Sequence, residues 1–422
     1  MSETGEGTGR RLIVAGIAGN VMEWYDFAVY GYFAQTIGQH FFPSKDPVAS
    51  LIAAFGVFAA GFLMRPVGGL VFGHIGDRIG RKAALTLSVI AMAVPTFLIG
   101  ILPDYEQIGV VASTLIVILR LVQGLSVGGE YTTSVVFLVE GAAPDRRGLT
   151  GSWSVFGAVA GILLVSAVGA LLTSVLSSTA VYAWGWRVPF LLGLAVGLSG
   201  LYIRRHIPEA PARASNEKPA TSPVVEAFRT EWRAMLRVAG FNMLNAVGFY
   251  MIFVYVVTYL RQVVHMRAAQ ALDINTINMV ILLLLIPAAG ALSDRVGRKP
   301  LLIASALGTL LFAWPLFWMM HHPHFAVVLV GQMGFAVLIG LFLGTCPATM
   351  VEIFPARVRC SALSVGYNLS LGVLGGTTPL VVTYLIARSH DDLSPAFYLM
   401  AAAALSLAVI LSLRETATLP LQ

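Results

Sequence analysis

Long apolar runs separated by short polar connections make up most of the chain. Each run is long enough to cross about 30 Å of hydrocarbon as a helix. The pattern predicts twelve transmembrane helices, over residues 12–39, 48–76, 82–101, 107–139, 146–175, 186–203, 235–261, 271–293, 300–320, 325–352, 358–387 and 395–413. The expected fold class is therefore an all-α membrane protein.

One polar stretch, residues 204–233, divides these runs into six and six. Its Pro, Ser, Glu and Arg content is typical of a linker. The sequence thus predicts an N-terminal six-helix bundle over 1–203, a cytoplasmic linker over 204–233 and a C-terminal six-helix bundle over 234–422.

The two predicted bundles repeat one another. The decapeptide GHIGDRIGRK at 73–82 recurs as GALSDRVGRK at 290–299, after the second and the eighth predicted helix. Parallel repeats of this kind place the substrate between the halves, near the midplane of the membrane. A second repeat pairs Glu140 and Arg147 with Glu352 and Arg359.

Composition and charge exclude other classes. Apolar residues make up 57% of the chain and charged residues 11%, whereas soluble domains carry roughly 25% charged residues. We therefore expect no enzyme and no cofactor. The two cysteines, Cys346 and Cys360, lack metal-site spacing, so no metal is expected.

The net charge of +6 has a topological explanation. With a cytoplasmic N-terminus, 20 of the 27 Lys and Arg residues fall on the inner side and 5 on the outer side. This positive-inside bias predicts that both termini are cytoplasmic. Nucleic acid is not needed as a partner. The expected partners are the lipid bilayer, protons and a small solute, and we expect a monomer.

The duplicated decapeptide resembles the signature of the major facilitator superfamily, over essentially the whole chain. Further stretches resemble its metabolite–proton symporter family, whose members carry α-ketoglutarate, citrate, shikimate, or proline and betaine: GNVMEWYDF at 19–27, GFLMRPVGG at 61–69, RLVQGLSVGGEY at 120–131 and WGWRVPF at 184–190. The resemblance implies alternating access in an inner membrane. It also implies inner-gate contacts, for which the repeats offer Gly73, Asp77, Arg78, Gly80, Arg81, Glu140, Arg147, Asp294, Arg295, Arg298, Glu352 and Arg359.

Five ionisable residues lie well inside predicted helices of the N-terminal half: Glu23, Asp26, Arg65, Arg120 and Glu130. Such charges are disfavoured by roughly 2.5–3.5 kcal/mol, so they persist when paired, hydrated or functional. A network that merely holds the helices together is one reading. The other is proton coupling, for which Asp26 is the first candidate, with Glu130 and Glu23 as further candidates. In several relatives an acid on the first helix pairs with an arginine on the fourth, and Asp26 and Arg120 match that arrangement.

Helix periodicity places Glu23, Asp26 and Tyr30 on one face, and Gln123 on one face with Glu130. The C-terminal half offers neutral polar groups instead: Asn242, Asn245, Tyr250, Tyr255, Asn278, Gln332, Tyr367 and Asn368. The residues expected to bind substrate are Arg120, Arg65, Tyr30, Gln123, Tyr131, Asn242, Tyr250, Tyr367 and Asn368.

Three hypotheses about function stay open. Arg65 and Arg120 favour a carboxylate, because a guanidinium group binds a carboxylate bidentately. An organic acid such as α-ketoglutarate or citrate, imported with protons, is the first hypothesis. The pair Trp24–Tyr25 with Tyr131 could instead form an aromatic cage for a zwitterion such as proline or glycine betaine. A drug-type exporter or a non-transporting membrane sensor is the alternative of another class.

Overall fold

The computed structural model describes the backbone of residues 3–78, 81–128, 130–205 and 223–421. Within these ranges, side chains are described except those of residues 3–16, 18, 70, 73–78, 81–85, 130, 196, 199–205, 223 and 224. These described ranges contain helices and no β-strand.

The helices follow the predicted spans in order. We label them α1 (Glu3–Tyr32), α2 (Pro47–Leu63 and Arg65–Arg78), α3 (Arg81–Ile101), α4 (Val110–Val127 and Glu130–Glu140), α5 (Arg147–Val175), α6 (Arg187–Arg205), α7 (Trp232–Gln262), α8 (Ala268–Val296), α9 (Arg298–Met320), α10 (Phe325–Glu352), α11 (Arg359–Ser389) and α12 (Ser394–Ser412). Short helices over Ala34–Phe41, Tyr105–Ile108, Ser178–Ala180 and Pro223–Thr230 lie in the connections.

Nine of these helices are, within the described residues, long and apolar enough to cross a membrane. The other three, α1, α3 and α6, each contain side chains outside the described set. The predicted twelve-helix, all-α membrane architecture is therefore confirmed, and its two six-helix halves are α1–α6 and α7–α12.

The first and second predicted spans are interrupted in the structure. The first was predicted to run to residue 39, but α1 ends at Tyr32 and a separate helix begins at Ala34. The second breaks at Met64, directly before Arg65 and Pro66. Proline lacks the N–H that continues a helical ladder, which explains a break at this point.

Two helices of the second half contain π-helical segments near their middle. These are Tyr250–Tyr255 in α7 and Leu371–Gly375 in α11. In α7 the carbonyl oxygens of Ile252 and Phe253 accept side-chain hydrogen bonds from Gln332 and Tyr32. π-turns of this kind often occur at functional sites.

The halves meet along close helix pairs. On the side of the bundle that carries the second decapeptide copy, which we call the motif side, α5 crosses α8 at Gly148 and Gly290. A Cβ added to Gly148 would lie 2.5 Å from the carbonyl oxygen of Gly290. Glycine at both positions allows the two backbones to touch.

Candidate functional site

A cluster of aromatic side chains around a buried arginine lies between the two halves. We call it the central cluster and define it as Trp24, Phe62, Arg65, Tyr131, Tyr250 and Tyr367. Its tyrosines join the halves: Tyr131 of α4 stacks on Tyr367 of α11 with ring centroids 5.0 Å apart and planes 25° from parallel. Trp24 of α1 lies 6.0 Å from Tyr131 and 6.4 Å from Tyr250 of α7.

Arg65 lies against the aromatic faces of this cluster. Its guanidinium carbon is 5.8 Å from the Trp24 ring centroid and 5.5 Å from that of Phe62. The nearest acidic oxygen is that of Glu23, whose Oε1 lies 3.9 Å from Arg65 Nη2. Glu23 also interacts electrostatically with Tyr131, Tyr250 and Tyr367. One anion and one cation thus border the same aromatic cluster.

Arg120 lies in a second aromatic environment beside the central cluster. Its guanidinium carbon is 4.5 Å from the ring centroids of both Phe27 and Tyr30. Gly61 of α2 makes this possible, because a Cβ there would lie 3.1 Å from the Arg120 carbonyl oxygen. Tyr250 interacts electrostatically with both Arg65 and Arg120.

Several polar atoms around these two arginines are buried without a hydrogen-bond partner among the described residues. They are Trp24 Nε1, the hydroxyl oxygens of Tyr30 and Tyr250, Arg65 Nε, and Arg120 Nε and Nη2. Buried polar groups in native proteins are rarely left unsatisfied, and they normally bond to protein atoms, water, an ion or a ligand. All of them can donate a hydrogen bond, so they suit a ligand with acceptor oxygens.

The predicted acidic residues divide between two environments. Glu23 and Asp26 line one small cavity of about 20 Å³, together with Ser88 and Met92 of α3 and Ser126 of α4. This volume suffices for a single water molecule. Their shared helix face is confirmed, whereas Tyr30 points instead to Arg120 and to Phe58, on which its ring stacks. The side chain of Glu130 lies outside the described residues.

The structure does not bring Asp26 and Arg120 together as an ion pair. Arg120 Nη1 donates to Gln123 Oε1 at 2.9 Å, and Gln123 Nε2 donates to Thr96 Oγ1 at 2.7 Å. Thr96 of α3 in turn lies beside Asp26, since a Cβ added to Gly193 of α6 would lie 2.6 Å from Thr96 Cγ2 and 2.7 Å from Asp26 Oδ1. The expectation of a direct pair is therefore wrong, because a neutral glutamine and threonine fill the space between α1 and α4.

Other predicted binding residues lie at varying distances from the cluster. Asn368 donates to the carbonyl oxygen of Gly128 at 2.8 Å and so ties α11 to α4 beside Tyr367. Asn242 is one step removed: it bonds to Val238 and accepts from Cys346 Sγ at 3.3 Å within the second half. Tyr25 points away from the cluster and donates to the carbonyl oxygen of Pro189 at 2.7 Å. The expected pairing of Tyr25 with Trp24 in one aromatic cage is therefore wrong.

On the motif side, ionic contacts close the space between the halves. Asp294 accepts hydrogen bonds from the backbone N–H groups of Gly148 and Leu149 at 2.7 and 2.9 Å. These are N–H groups of the first turn of α5, which has no intrahelical acceptor for them and which attracts negative charge. Arg298 holds Asp294 in place with a contact of 2.8 Å.

The second repeat forms crossed ion pairs. Glu352 of the second half lies 3.9 Å from Arg147 of the first half, and Glu140 of the first half bonds to Arg359 of the second. Arg298 also donates to Glu352 at 3.1 Å. Arg295 is exposed and takes no part in these contacts within the described chain. Of the other predicted gate residues, Gly80 and the side chains of Gly73, Asp77, Arg78 and Arg81 lie outside the described set.

A segment after α12 extends this network. Glu415 accepts from the backbone N–H groups of Arg298 and Lys299, both at 2.9 Å, and so caps the N-terminus of α9. Thr416 donates to Glu352 at 2.6 Å, and Arg147 donates to the carbonyl oxygen of Leu419 at 2.8 Å. This segment was not predicted, and a glutamate just beyond the last span is its one visible signal in the sequence.

The opposite side is closed by neutral groups. Tyr32 of α1 donates to the carbonyl oxygen of Phe253 at 2.7 Å, and Asn275 of α8 donates to Tyr32 at 2.6 Å. Gln332 of α10 donates to Asn275 at 2.8 Å. Contacts between the halves therefore lie on both sides of the central cluster. Tyr32 and Asn275 were not predicted, since one polar residue in a span is usually a local helix contact.

Comparisons with known proteins agree with this architecture. Residues 12–218 match the family described as "Sugar (and other) transporter", and residues 238–421 match "Major Facilitator Superfamily". The glycine betaine/proline/ectoine/pipecolic acid transporter OusA of Dickeya dadantii is 37% identical over 99% of this chain and 85% of its own length. The proline/betaine transporter of Escherichia coli is 35% identical over 99% of this chain and 86% of its own length.

Solved structures share the fold. The proton:xylose symporter XylE bound to 6-bromo-6-deoxy-D-glucose superposes with a TM-score of 0.80 at 18% identity, covering 99% of this chain and 98% of that one. A crystal structure of a D-xylose-proton symporter gives a TM-score of 0.75 at 20% identity, covering 95% and 96%.

The fold and the enclosed site between its halves define a membrane transporter of the twelve-helix type. The chain belongs to the major facilitator superfamily, in its metabolite–proton symporter family.

Proposed function

We propose that this protein imports a zwitterion such as glycine betaine or proline together with protons. The observation that carries the proposal is the central cluster, whose aromatic surface surrounds Arg65 and adjoins Glu23, with Arg120 in a second aromatic environment beside it. A zwitterion needs both a cation for its carboxylate and an aromatic or anionic surface for its ammonium group. The names of the relatives, which span nearly the whole chain, favour the same substrate class over the di- or tricarboxylates expected first.

Each end of the zwitterion has candidate contacts. The carboxylate would lie between Arg65 and Arg120, where it would accept from the unpartnered nitrogen atoms and from the Tyr250 hydroxyl. The ammonium group would lie against Trp24 and Tyr131, since a cation over an aromatic face gains about 0.5–2 kcal/mol.

Glu23 bears on the choice between substrate classes. Its carboxylate interacts with the tyrosines of the cluster, and it would attract the ammonium group of a zwitterion. The same charge would repel the second or third carboxylate of an organic acid. Two guanidinium groups and one carboxylate therefore match the charges of a zwitterion carried with a proton better than they match those of citrate.

The proposed function also includes a proton acceptor and an orientation of the protein in the membrane. Asp26 is the proposed proton acceptor, with Glu130 as the next candidate. The bundles over 1–203 and 234–422 would move about the substrate by alternating access, with the crossed ion pairs breaking on the motif side. We place the protein in a bacterial inner membrane as a monomer, with both termini and the motif side in the cytoplasm, as the positive-inside bias indicates.

The test is uptake into proteoliposomes under an imposed pH gradient, with glycine betaine, proline, citrate and α-ketoglutarate as labelled solutes. Accumulation of either zwitterion that collapses with a protonophore supports the proposal. Accumulation of an organic acid alone would restore the first hypothesis.

A further inference from the structure

Two neutral side chains separate the carboxylate of Asp26 from the guanidinium group of Arg120: Gln123 is hydrogen-bonded to both Arg120 and Thr96, and Thr96 lies beside Asp26. We infer that Thr96 and Gln123 form a relay through which a carboxylate bound at Arg120 sets the protonation of Asp26. Both are positioning residues under this inference, and neither touches the substrate. The inference rests on the proposed proton symport.

The relay is enclosed on all sides that the structure describes. Thr96, Gln123 and Arg120 are fully buried and Asp26 is 2% exposed. On the α6 side, a Cβ added to Gly193 would lie 2.7 Å from Asp26 Oδ1 and 2.6 Å from Thr96 Cγ2. Because residue 193 is a glycine, α6 packs directly onto the junction of Asp26 and Thr96. Side-chain rearrangement is therefore confined to rotation about a few bonds.

Thr96 can satisfy both protonation states of Asp26. A threonine hydroxyl has one hydrogen to donate and two lone pairs. One lone pair accepts from Gln123 Nε2, and the hydrogen points to the carbonyl oxygen of Met92 at 3.0 Å. A protonated Asp26 can then donate to the second lone pair. When Asp26 loses its proton, the Thr96 hydrogen can turn from Met92 to the carboxylate, while the bond from Gln123 is kept.

The other end of the relay senses the substrate. Arg120 donates one N–H group to Gln123, whereas its Nε and Nη2 have no partner among the described residues. A substrate carboxylate that bound Nε and Nη2 would pull the guanidinium group towards itself. The Gln123 oxygen would then lose a donor, and the orientation of its amide on Thr96 would change. Binding and proton release are thereby coupled without contact between the two charges.

The charged and titratable groups around Asp26 come from three helices. Glu23 and Tyr25 lie on α1 itself, Arg65 of α2 acts through Glu23, and Arg120 of α4 acts through the relay. Among the described side chains, α3 and α6 contribute neutral contacts to Asp26, at Thr96, Met92, Gly193 and Gly197. Thr96, hydrogen-bonded to Gln123, is therefore the neutral group that links Arg120 to Asp26 among the described side chains.

The experiment compares Thr96→Val, which keeps the shape and removes the hydroxyl, with Thr96→Ser, which restores the hydroxyl. Each variant is reconstituted in proteoliposomes and assayed for accumulation of glycine betaine under a pH gradient, for exchange of glycine betaine at equal pH on both sides, and for the pH profile of uptake. Thr309→Val is the matched control, because Thr309 is fully buried in α9, away from the site.

We expect gradient-driven accumulation to fall by about tenfold or more in Thr96→Val. A shift of one pK unit changes the proton-binding equilibrium of a carboxyl group by this factor. Exchange needs no proton release, so its rate should stay within about threefold of the wild-type rate. Thr96→Ser should recover accumulation and the wild-type pH profile. Gln123→Met, which breaks the relay at its other member, should lose gradient-driven accumulation to a similar extent even if Thr96→Val proves too unstable to reconstitute.

Accumulation and a pH profile unchanged in both Thr96→Val and Gln123→Met would overturn the relay. Failure of the proposed function gives a different result: the wild type itself would then exchange glycine betaine without accumulating it under a pH gradient, or would not transport it at all.

Discussion

The rings of Tyr131 and Tyr367 stack with their centroids 5.0 Å apart, although the two residues belong to helices of different halves. This contact, together with Trp24 and Tyr250, means that the proposed substrate site is built from both halves at once. A substrate held there would contact α1, α4, α7 and α11. Binding in such a site favours the enclosed arrangement, because the aromatic surfaces meet around the ligand only when both halves are in contact.

Replacing Trp24 with leucine should weaken glycine betaine binding by about tenfold, since a desolvated cation–π contact contributes roughly 1–2 kcal/mol. Isothermal titration or substrate-protected thermal unfolding in detergent would measure the affinity. Trp232→Leu is the matched control, because Trp232 lies at the start of α7 and is 48% exposed. Equal affinities of the two variants would remove Trp24 from the site.

Replacing Glu23 with glutamine should change selectivity as well as affinity. The ammonium group would lose a nearby anion, and a second carboxylate would no longer be repelled. We expect glycine betaine, whose quaternary ammonium group has no N–H, to bind about tenfold more weakly, a loss of about 1.4 kcal/mol of charge–charge attraction. Competition by succinate should become stronger in the same variant. If Glu23→Gln left the ratio of betaine to succinate affinities unchanged, the electrostatic account of selectivity would be wrong.

Replacing Asp294 with asparagine should open the motif side. The variant loses the negative charge that accepts from the N–H groups of Gly148 and Leu149, and it loses the ion pair with Arg298. Together these contribute about 1.5 kcal/mol or more to the contact between the halves. Cys346 is buried in α10 beside Asn242, so its alkylation by a maleimide reports access to the interior. In a Cys360→Ser background we expect roughly tenfold faster alkylation of Cys346.

Asp273→Asn is the control for this measurement. It makes the same chemical change near the other end of α8, where Asp273 is exposed. An Asp294→Asn rate no faster than that of Asp273→Asn would show that the contact with α5 does not keep the motif side closed.

Glu415 should make stability depend on pH. Burial alone would raise the pKa of its carboxyl, but backbone N–H groups of Ala417, Arg298, Lys299 and Thr416 donate to it, and the net effect is a lowered pKa. A lowered folded-state pKa means that the stabilisation is complete above the ordinary value of about 4.3 and is lost as the pH falls through the lower, folded value.

The melting temperature in detergent should therefore be lower for Glu415→Gln than for the wild type at neutral pH, as for loss of an N-cap contact of about 1 kcal/mol. The difference should persist down to about pH 5 and shrink in more acidic buffer. Glu106→Gln, an exposed change in the short helix Tyr105–Ile108, should leave the melting temperature unchanged at every pH. A Glu415 difference that grew on acidification would contradict the capping role.

Much of the architecture follows from patterns that the bilayer imposes. A span must be apolar over its whole length, so the twelve helices can be predicted from runs of hydrophobic residues. The pairing of repeats likewise brought Glu140, Arg147, Glu352 and Arg359 into one prediction. Which acid meets which arginine depends on how the halves pack, and the crossed pairs of Glu352 with Arg147 and of Glu140 with Arg359 could not be read from spacing.

The site itself shows where sequence reasoning stops. Helix periodicity put Glu23 and Asp26 on one face, but it does not give the rotation of α1 relative to α4. That rotation directs Asp26 to Thr96 and Gly193, and leaves Arg120 against Phe27 and Tyr30. Thr96 carries no charge and lies in an apolar helix, so only its position beside Gln123 marks it as part of the site.

The central claim, zwitterion–proton symport, is tested most directly by the uptake of labelled glycine betaine and proline into proteoliposomes that contain only this protein, with an acidic exterior. We predict accumulation above the external concentration that is abolished by a protonophore and by Asp26→Asn, while exchange at equal pH persists. Accumulation of glycine betaine that is unaffected by the protonophore, or accumulation of citrate or α-ketoglutarate alone, would contradict the account.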